Sequence, residues 1–182
     1  MKRKSLYYLV LTALLAALTA ALTMLPVMKL PNGGSVHLGD LFVLLAGCLL
    51  PTPYAMAAAA IGGGLADLFS TGGQPWIPAT ILIKPIVAGL MSAKGPRLLT
   101  RRNALMALPY AAVTLAGYGF YELLLVALGL FADERVGTAI LAASVSLNAL
   151  QVIVSALLFF ALAAALDRIG FKQKLMRWEG RG

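Results

Sequence analysis

The side chains best suited to chemistry in this sequence are polar groups placed inside long apolar runs. They are ionisable, amide or aromatic residues: His37, Asp40, Asp67, Trp76, Lys84, Tyr118, Glu122, Asn148 and Gln151. Polar groups inside a membrane-spanning run are costly, and they typically pair with each other or mark a substrate or ion path. We therefore predict that they form a binding site. The alternative is that they pair only to hold helices together.

Local spacing groups several of these residues. Tyr118 and Glu122 are four positions apart, which places them on one face of a helix. Asn148 and Gln151, together with Ser144, form a second polar face. Aromatic rings at Trp76, Tyr118 and Tyr121 could stack on a flat ligand, although a tryptophan at Trp76 fits an interfacial belt equally well.

Lys84 is followed directly by Pro85 in the apolar stretch "ILIKPIVAGL". A buried lysine needs a counter-charge, and Glu122 or Asp67 would supply one. The proline cannot donate a backbone hydrogen bond to the carbonyl of Ile81, which frees that oxygen to face a cavity. The sequence thus predicts the floor of a binding site here, with the partner of Lys84 left open.

Catalytic and metal-binding patterns are weak. His37 and Asp40, three positions apart, could ligate a metal with Asp67, but two carboxylates and one histidine are little evidence for a metal. The chain has no HExxH, GxSxG or P-loop motif, so it has no ATP site of the P-loop kind. We expect no metal, no cofactor and no catalytic residue.

The elements that position these groups are predicted to be membrane helices. Of the 182 residues, 60% are hydrophobic and 12% charged, whereas a soluble domain carries about 25% charged residues. The surrounding solvent is therefore expected to be lipid. A bilayer core of about 30 Å needs about 20 apolar residues in a helix. Six runs meet or approach that length: 6–28, 37–50, 54–71, 75–93, 104–131 and 138–166.

The distribution of basic residues predicts the topology. Lysine and arginine favour the cytoplasmic side, and strong basic clusters occur at 2–4, 94–102 and 168–181. We predict an all-α membrane protein, a six-transmembrane-helix bundle with cytoplasmic N- and C-termini, forming one domain over residues 1–182. The net charge of +8 lies in these clusters, so no nucleic acid partner is expected.

The topology also predicts depths. At 1.5 Å per residue, Asp40 and Asp67 would lie about 5 Å below the outer edge, and Lys84, Glu122 and Asn148 about 15 Å down. The polar groups of five helices would then converge in the outer half of the bundle. The inner halves carry almost no polar side chains, which argues against an open channel.

Small residues form a further pattern. Span one contains Ala13, Ala16, Ala17 and Ala20, and span three contains "AAAAIGGGLAD". Such faces let helix backbones approach closely. Internal packing accounts for span three, whereas span one fits internal packing and an external partner helix equally well.

Several of these motifs, in this order, resemble a known family. "HLGD" opens span two, "GGGLAD" lies in span three, "IKP" in span four and "SLNALQVIVSALL" in span six. Together they are similar to the substrate-binding S-components of energy-coupling-factor (ECF) vitamin transporters, over most of the chain. No motif selects one vitamin among riboflavin, thiamine, biotin, folate and the other substrates of the family.

The resemblance implies a mechanism and partners. An S-component captures a vitamin or vitamin precursor near the outer face of a prokaryotic cell membrane, beneath external loops that would be 29–36 and 70–75 here. It then topples in the bilayer when it associates with a transmembrane coupling subunit and two ABC ATPases. The pairs Ala13–Ala17 and Ala16–Ala20 look like the family's AxxxA contacts to the coupling subunit. The site residues suit a small polar heteroaromatic ligand.

Two other classes compete with this interpretation. A small membrane enzyme would need an acid/base pair, for which Asp40 and Asp67 are the best candidates. A structural bundle or channel would need either mutual pairing of the buried polar groups or a continuous polar path.

Overall fold

The apolar runs fold as helices in the computed structural model of the chain, which describes residues 3–25, 28–29, 35–130 and 134–180. Within these ranges the regular structure is helical, apart from one antiparallel pair of two-residue strands, β1 (Met28–Lys29) and β2 (Ser35–Val36). A 3-10 helix at Gln74–Trp76 leads into the helix that begins at Ile77. The helices are α1 (Arg3–Met24), α2 (Gly39–Leu49), α3 (Thr52–Phe69), α4 (Ile77–Leu90), α5 (Arg101–Leu105), α6 (Ala107–Ala127), α7 (Glu134–Arg168) and α8 (Phe171–Glu179).

Prolines and one glycine set several boundaries. Pro51 has an extended conformation (φ −54°, ψ 144°) and separates α2 from α3. Pro85 is buried inside α4, which continues past it to Leu90. Gly170 adopts φ +62° and turns the chain from α7 into α8, a helix that the sequence analysis did not predict.

Three segments are long and apolar enough to cross a membrane: Lys4–Met24, Arg101–Ala127 and Ser144–Arg168. This count holds for the described residues alone. With 11 and 14 residues, α2 and α4 span roughly 16 Å and 21 Å, less than a bilayer core of about 30 Å. The described part of the chain is thus almost entirely helical, with three candidate spans, and the six-span bundle remains a prediction.

Small residues let the central helices approach closely. A Cβ atom added to Gly62 in α3 would lie 2.6 Å from the carbonyl oxygen of Ala16 in α1. At Gly47 in α2 it would lie 2.3 Å from the carbonyl oxygen of Ala88 in α4. Because neither gap admits a side chain, these glycines fix the helix spacing. The small face of span three is therefore internal, as predicted.

The alanines of α1 do not all lie on the same side of the helix. Ala16 is 5% exposed and faces α3, whereas Ala13 and Ala17 are exposed. Ala20 is partly buried. Of the two alternatives for span one, internal packing therefore holds for Ala16, and contact with a coupling subunit remains a prediction for the exposed Ala13 and Ala17.

Three basic regions meet at one end of the bundle. The Tyr7 hydroxyl of α1 donates to the carbonyl of Leu175 in α8 at 3.5 Å. Lys172 in α8 donates to the carbonyl of Arg97 at 3.3 Å. The Asp167 carboxylate accepts from the backbone N–H groups of Leu98 and Leu99 at 2.7 Å and 2.9 Å. These contacts join the start of α1, the 94–102 cluster and the C-terminal cluster.

Candidate functional site

A buried ion pair lies at the centre of the site. Lys84 in α4 and Asp40 in the first turn of α2 are 4% and 6% exposed, and Nζ lies 3.1 Å from Oδ1. The sequence left the partner of Lys84 open between Glu122 and Asp67. The ion pair instead forms with Asp40, so both suggestions are wrong. Side chains on a helix tilt toward its N-terminus, so the long lysine side chain reaches back along α4 to the level of Asp40. The predicted depths were calculated from backbone positions, so they did not include the length of the lysine side chain.

The second oxygen of Asp40 connects three helices. Its Oδ2 accepts from the Tyr110 hydroxyl at 3.3 Å and from the Gln151 Nε2 at 3.4 Å. The same amide nitrogen donates to the Ser155 hydroxyl at 3.2 Å. Since Tyr110 belongs to α6 and Gln151 to α7, the carboxylate holds both helices against α2.

His37 stands between the strand pair and α2. Its backbone N–H donates to Gln151 Oε1 at 2.7 Å, and its Nδ1 accepts from the backbone N–H of Gly39 at 3.1 Å. In a neutral ring whose Nδ1 is an acceptor, the proton sits on Nε2, which remains a donor. His37 thus acts as a hydrogen-bonding group. Within the described residues, no three metal-ligating side chains cluster, so a metal site with Asp40 and Asp67 has no geometric support.

Several buried polar atoms of the site lack hydrogen-bond partners within the described part of the chain. They include Asp67 Oδ2, Glu122 Oε2 and Lys84 Nζ. The Lys84–Asp40 contact joins opposite charges at 3.1 Å, and a lysine ammonium carries three N–H donors in all. Buried polar groups are normally hydrogen-bonded, so the cavity carries unused acceptors on two carboxylates and an unused donor on the ammonium.

Glu122 faces the second polar surface that the sequence predicted. It is 3% exposed, and Ser144 and Asn148 on α7 lie within hydrogen-bonding reach of its carboxylate. One carboxylate oxygen is therefore held by α7, while Oε2 stays unpartnered among the described residues.

An aromatic cluster closes one wall. The Trp76 ring lies 6.4 Å from that of Tyr118 and 6.0 Å from that of Tyr121, with tilted planes. Tyr118 shares a 3.1 Å hydrogen bond with the Thr80 hydroxyl. Tyr121 instead donates to the carbonyl of Pro75, so it anchors the 3-10 helix that carries Trp76. Tyr121 does not line the cavity, so stacking on a ligand remains a prediction for Trp76 and Tyr118.

All nine predicted site residues line one cavity with a volume of about 60 Å³. Five further residues line the cavity: Ser35, Ser70 and Gly73 lie in the two predicted lids, whereas Thr80 and Thr114 were not predicted. Helical spacing could have found two of them, because Thr80 precedes Lys84 by one turn and Thr114 precedes Tyr118 by one turn. Tyr110 was missed because its ring belongs to an apolar run and only its hydroxyl reaches Asp40.

The two predicted lids contribute to the same cavity. Ser35 in β2 comes from the first lid, 29–36, and Ser70 and Gly73 come from the second, 70–75. A Cβ atom on Gly73 would lie 2.5 Å from the backbone oxygen of Asp67, so the second lid folds tightly over the end of α3. Residues 30–34 of the first lid lie outside the described residues.

A family model described as "ECF-type riboflavin transporter, S component" matches residues 3–168. No curated protein matches the chain. The matched range includes every residue of the cavity and the whole of α1 to α7.

Proposed function

We propose a role in substrate capture from the premise that this chain belongs to the ECF-type riboflavin transporter S-component family. Members of this family are substrate-binding transporter subunits, so the chain is a membrane transport protein and not an enzyme. The substrate, the site residues, the topology and the partners named below are our proposals for this chain.

One observation carries the proposed site: polar groups from several helices converge on a single cavity and leave hydrogen-bonding capacity unused. Asp67 and Glu122 offer acceptors, and Lys84 offers a donor. Asn148 and Gln151 add amides, and Trp76 and Tyr118 add aromatic surface. Convergent polar groups in a concave site are typical of small-molecule sites, and the mainly polar lining of this cavity suits a ligand with many hydrogen-bonding groups.

Riboflavin is the first candidate substrate, because the matching family is described by it. Riboflavin offers a flat ring, an N–H donor, carbonyl acceptors and several hydroxyl groups. These groups complement the carboxylates of Asp67 and Glu122, the ammonium of Lys84 and the aromatic wall. The cavity of about 60 Å³ is smaller than the roughly 300–1,000 Å³ typical for drug-sized ligands, so binding requires the enclosing lids to move outward.

We propose the six-span topology for one domain over residues 1–182 in a prokaryotic cell membrane, with both termini cytoplasmic. The meeting of the three basic regions at one end supports it, because basic residues favour the cytoplasmic side. On this topology the cavity faces outward, and α8 lies at the inner surface. The shorter helices α2 and α4 would then cross only part of the bilayer core by themselves.

Transport requires partners. A transmembrane coupling subunit and two ABC ATPases would supply the energy, since the sequence carries no P-loop. Ala13 and Ala17 are exposed on α1, which supports them as the contact to the coupling subunit. Toppling on that contact would carry the occupied cavity to the inner side.

The test is to purify the chain in detergent and identify co-purifying small molecules by mass spectrometry. Thermal unfolding is then measured with riboflavin and a panel of vitamins and precursors. We expect one compound to co-purify and to raise the unfolding temperature. No co-purified compound and no shift across the panel would contradict the proposal.

The competing classes have less support. The enzyme hypothesis relied on Asp40 and Asp67, yet Asp40 is engaged by Lys84, Tyr110 and Gln151. A purely structural bundle would pair its buried polar groups with each other. The unpartnered atoms of Asp67 and Glu122 do not fit that arrangement.

A further inference from the structure

A second concave site lies between the start of α1 and the end of α8. It is a groove of about 500 Å³ lined by Lys4, Leu6, Tyr7, Val10, Arg177 and Trp178, with Gly180 at its edge. The Tyr7 contact to the carbonyl of Leu175 holds the two helices together here. The groove shares no lining residue with the substrate cavity.

The groove has a cationic part and an apolar part. Lys4 and Arg177 are exposed basic residues, and none of the described residues lining the groove is acidic. Leu6 and Val10 are 53% and 61% exposed, and Trp178 is 75% exposed. Leu6 and Val10 belong to a candidate membrane span, so their exposed side chains are suited to contact acyl chains while the neighbouring cations face the headgroup region.

The position of the groove fits the edge of a membrane. One candidate span begins at Lys4 and another ends at Arg168. The turn at Gly170 then leads directly into α8. The exposed apolar face of α1 continues away from Lys4 through Leu9 and Leu14. Tryptophan and basic residues are enriched where a helix meets the headgroup region.

We propose that this groove binds an anionic phospholipid. Lys4 and Arg177 contact the headgroup phosphate, for which the planar guanidinium provides paired donors. The first part of an acyl chain lies along Leu6 and Val10, and Trp178 covers the glycerol region. Basic pockets beside transmembrane helices are suited to acidic headgroups, and the apolar wall favours a lipid over a free phosphate ion. This inference does not depend on the substrate of the cavity.

The experiment measures lipid binding to the full chain by native mass spectrometry in a neutral detergent. The probes are dioleoylphosphatidylglycerol and dioleoylphosphatidylcholine. We expect a preference for phosphatidylglycerol, and Lys4→Gln and Arg177→Gln should each weaken its binding about fivefold, since one basic residue near an anionic lipid surface contributes roughly that factor. Lys174→Gln is the matched control, because Lys174 is exposed on the same helix but does not line the groove.

The outcomes separate a built site from general attraction. If Lys174→Gln weakened phosphatidylglycerol binding as much as Arg177→Gln, the proposed site would be overturned. Such a result would mean that the lipid is attracted only by the overall positive charge of the cluster. Equal binding of the two lipids would also overturn it. Glycerophosphoglycerol, the headgroup without acyl chains, should fail to compete at millimolar concentration. Full competition would contradict the proposed acyl-chain contact. Unchanged thermal unfolding of each variant in detergent alone checks that the fold is intact.

Discussion

The Lys84 ammonium lies 3.1 Å from the Asp40 carboxylate, and this buried pair joins α4 to the first turn of α2. The Tyr110 hydroxyl and the Gln151 amide donate hydrogen bonds to the second oxygen of Asp40. Asp67 and Glu122 stay partly unpartnered within the described residues. The charge of Asp40 is thus balanced by Lys84, and this carboxylate holds helices together. The carboxylates of Asp67 and Glu122 each keep an acceptor available to a ligand.

The ion pair predicts strong coupling between its two members. Lys84→Met or Asp40→Asn alone leaves a buried charge without its partner, and each should lower the free energy of unfolding by about 3 kcal/mol. The double variant should lose clearly less than the sum, because no unpaired charge remains. Denaturant unfolding in detergent measures the cycle. Additive losses would show that the two charges do not interact.

Glu122→Gln should weaken ligand binding with little effect on folding. The substitution keeps the shape of the side chain and removes a charged acceptor, and such hydrogen bonds contribute about 1.5–3 kcal/mol. We expect at least a tenfold rise in the dissociation constant of the identified ligand. Calorimetric titration measures it. An unchanged affinity would remove Glu122 from the proposed site.

Asp167→Asn provides the matched control at the other end of the bundle. Its carboxylate accepts from the N–H groups of Leu98 and Leu99, and it does not line the cavity. We expect a loss of about 2 kcal/mol in the free energy of unfolding and an unchanged ligand affinity below the unfolding transition. A loss of affinity as large as that of Glu122→Gln would mean that the cavity responds to general destabilisation.

Tyr121→Phe should speed ligand release. Its hydroxyl holds the carbonyl of Pro75, and this contact steadies the 3-10 helix that carries Trp76. Losing one hydrogen bond of about 1 kcal/mol should raise the dissociation rate about fivefold, while the association rate stays nearly constant. Stopped-flow tryptophan fluorescence measures both rates. An unchanged dissociation rate would show that this segment does not act as a lid.

Two adjacent alanines of α1 should respond differently to the same substitution. Ala17 is exposed, so Ala17→Leu, with or without Ala13→Leu, should abolish uptake in cells that carry the coupling module and leave ligand binding intact. Ala16 faces α3 at Gly62, so Ala16→Leu should overpack the core and cost roughly 1–3 kcal/mol of stability. Loss of ligand binding in Ala17→Leu would place that residue inside the bundle instead.

The sequence predicted most of the residues that line the cavity. A polar side chain in an apolar run is costly to expose to lipid, so such side chains gather in the interior of the bundle. Helical spacing placed Tyr118 with Glu122, and the topology brought in Asp40, Lys84 and Asn148. Tyr110 was missed because a single tyrosine is common in an apolar helix, whereas the one-turn spacing of Thr80 from Lys84 could have placed Thr80 in the cavity.

The pairing of Lys84 with Asp40 could not be predicted from the sequence, for a geometric reason. Depth along a helix gives the position of Cα, whereas the lysine Nζ lies at the end of a long side chain that leans toward the N-terminus. The contacts of Asp167 with Leu98 and Leu99 were equally hidden, because backbone N–H groups in a loop have no signature in the sequence. Helix α8 was missed because it is short, and only the turn at Gly170 separates it from α7.

The central claim is that the chain captures a vitamin-like ligand in this cavity, and an equilibrium titration tests it most directly. The purified chain and an Asp67→Asn, Glu122→Gln double variant are titrated with riboflavin, followed by quenching of flavin fluorescence, and then with the remaining vitamin panel. The account predicts saturable binding of one ligand per chain, lost in the double variant while its thermal unfolding stays cooperative. Saturable binding that persists unchanged in the double variant, or its absence for every compound in the wild-type chain, would contradict it.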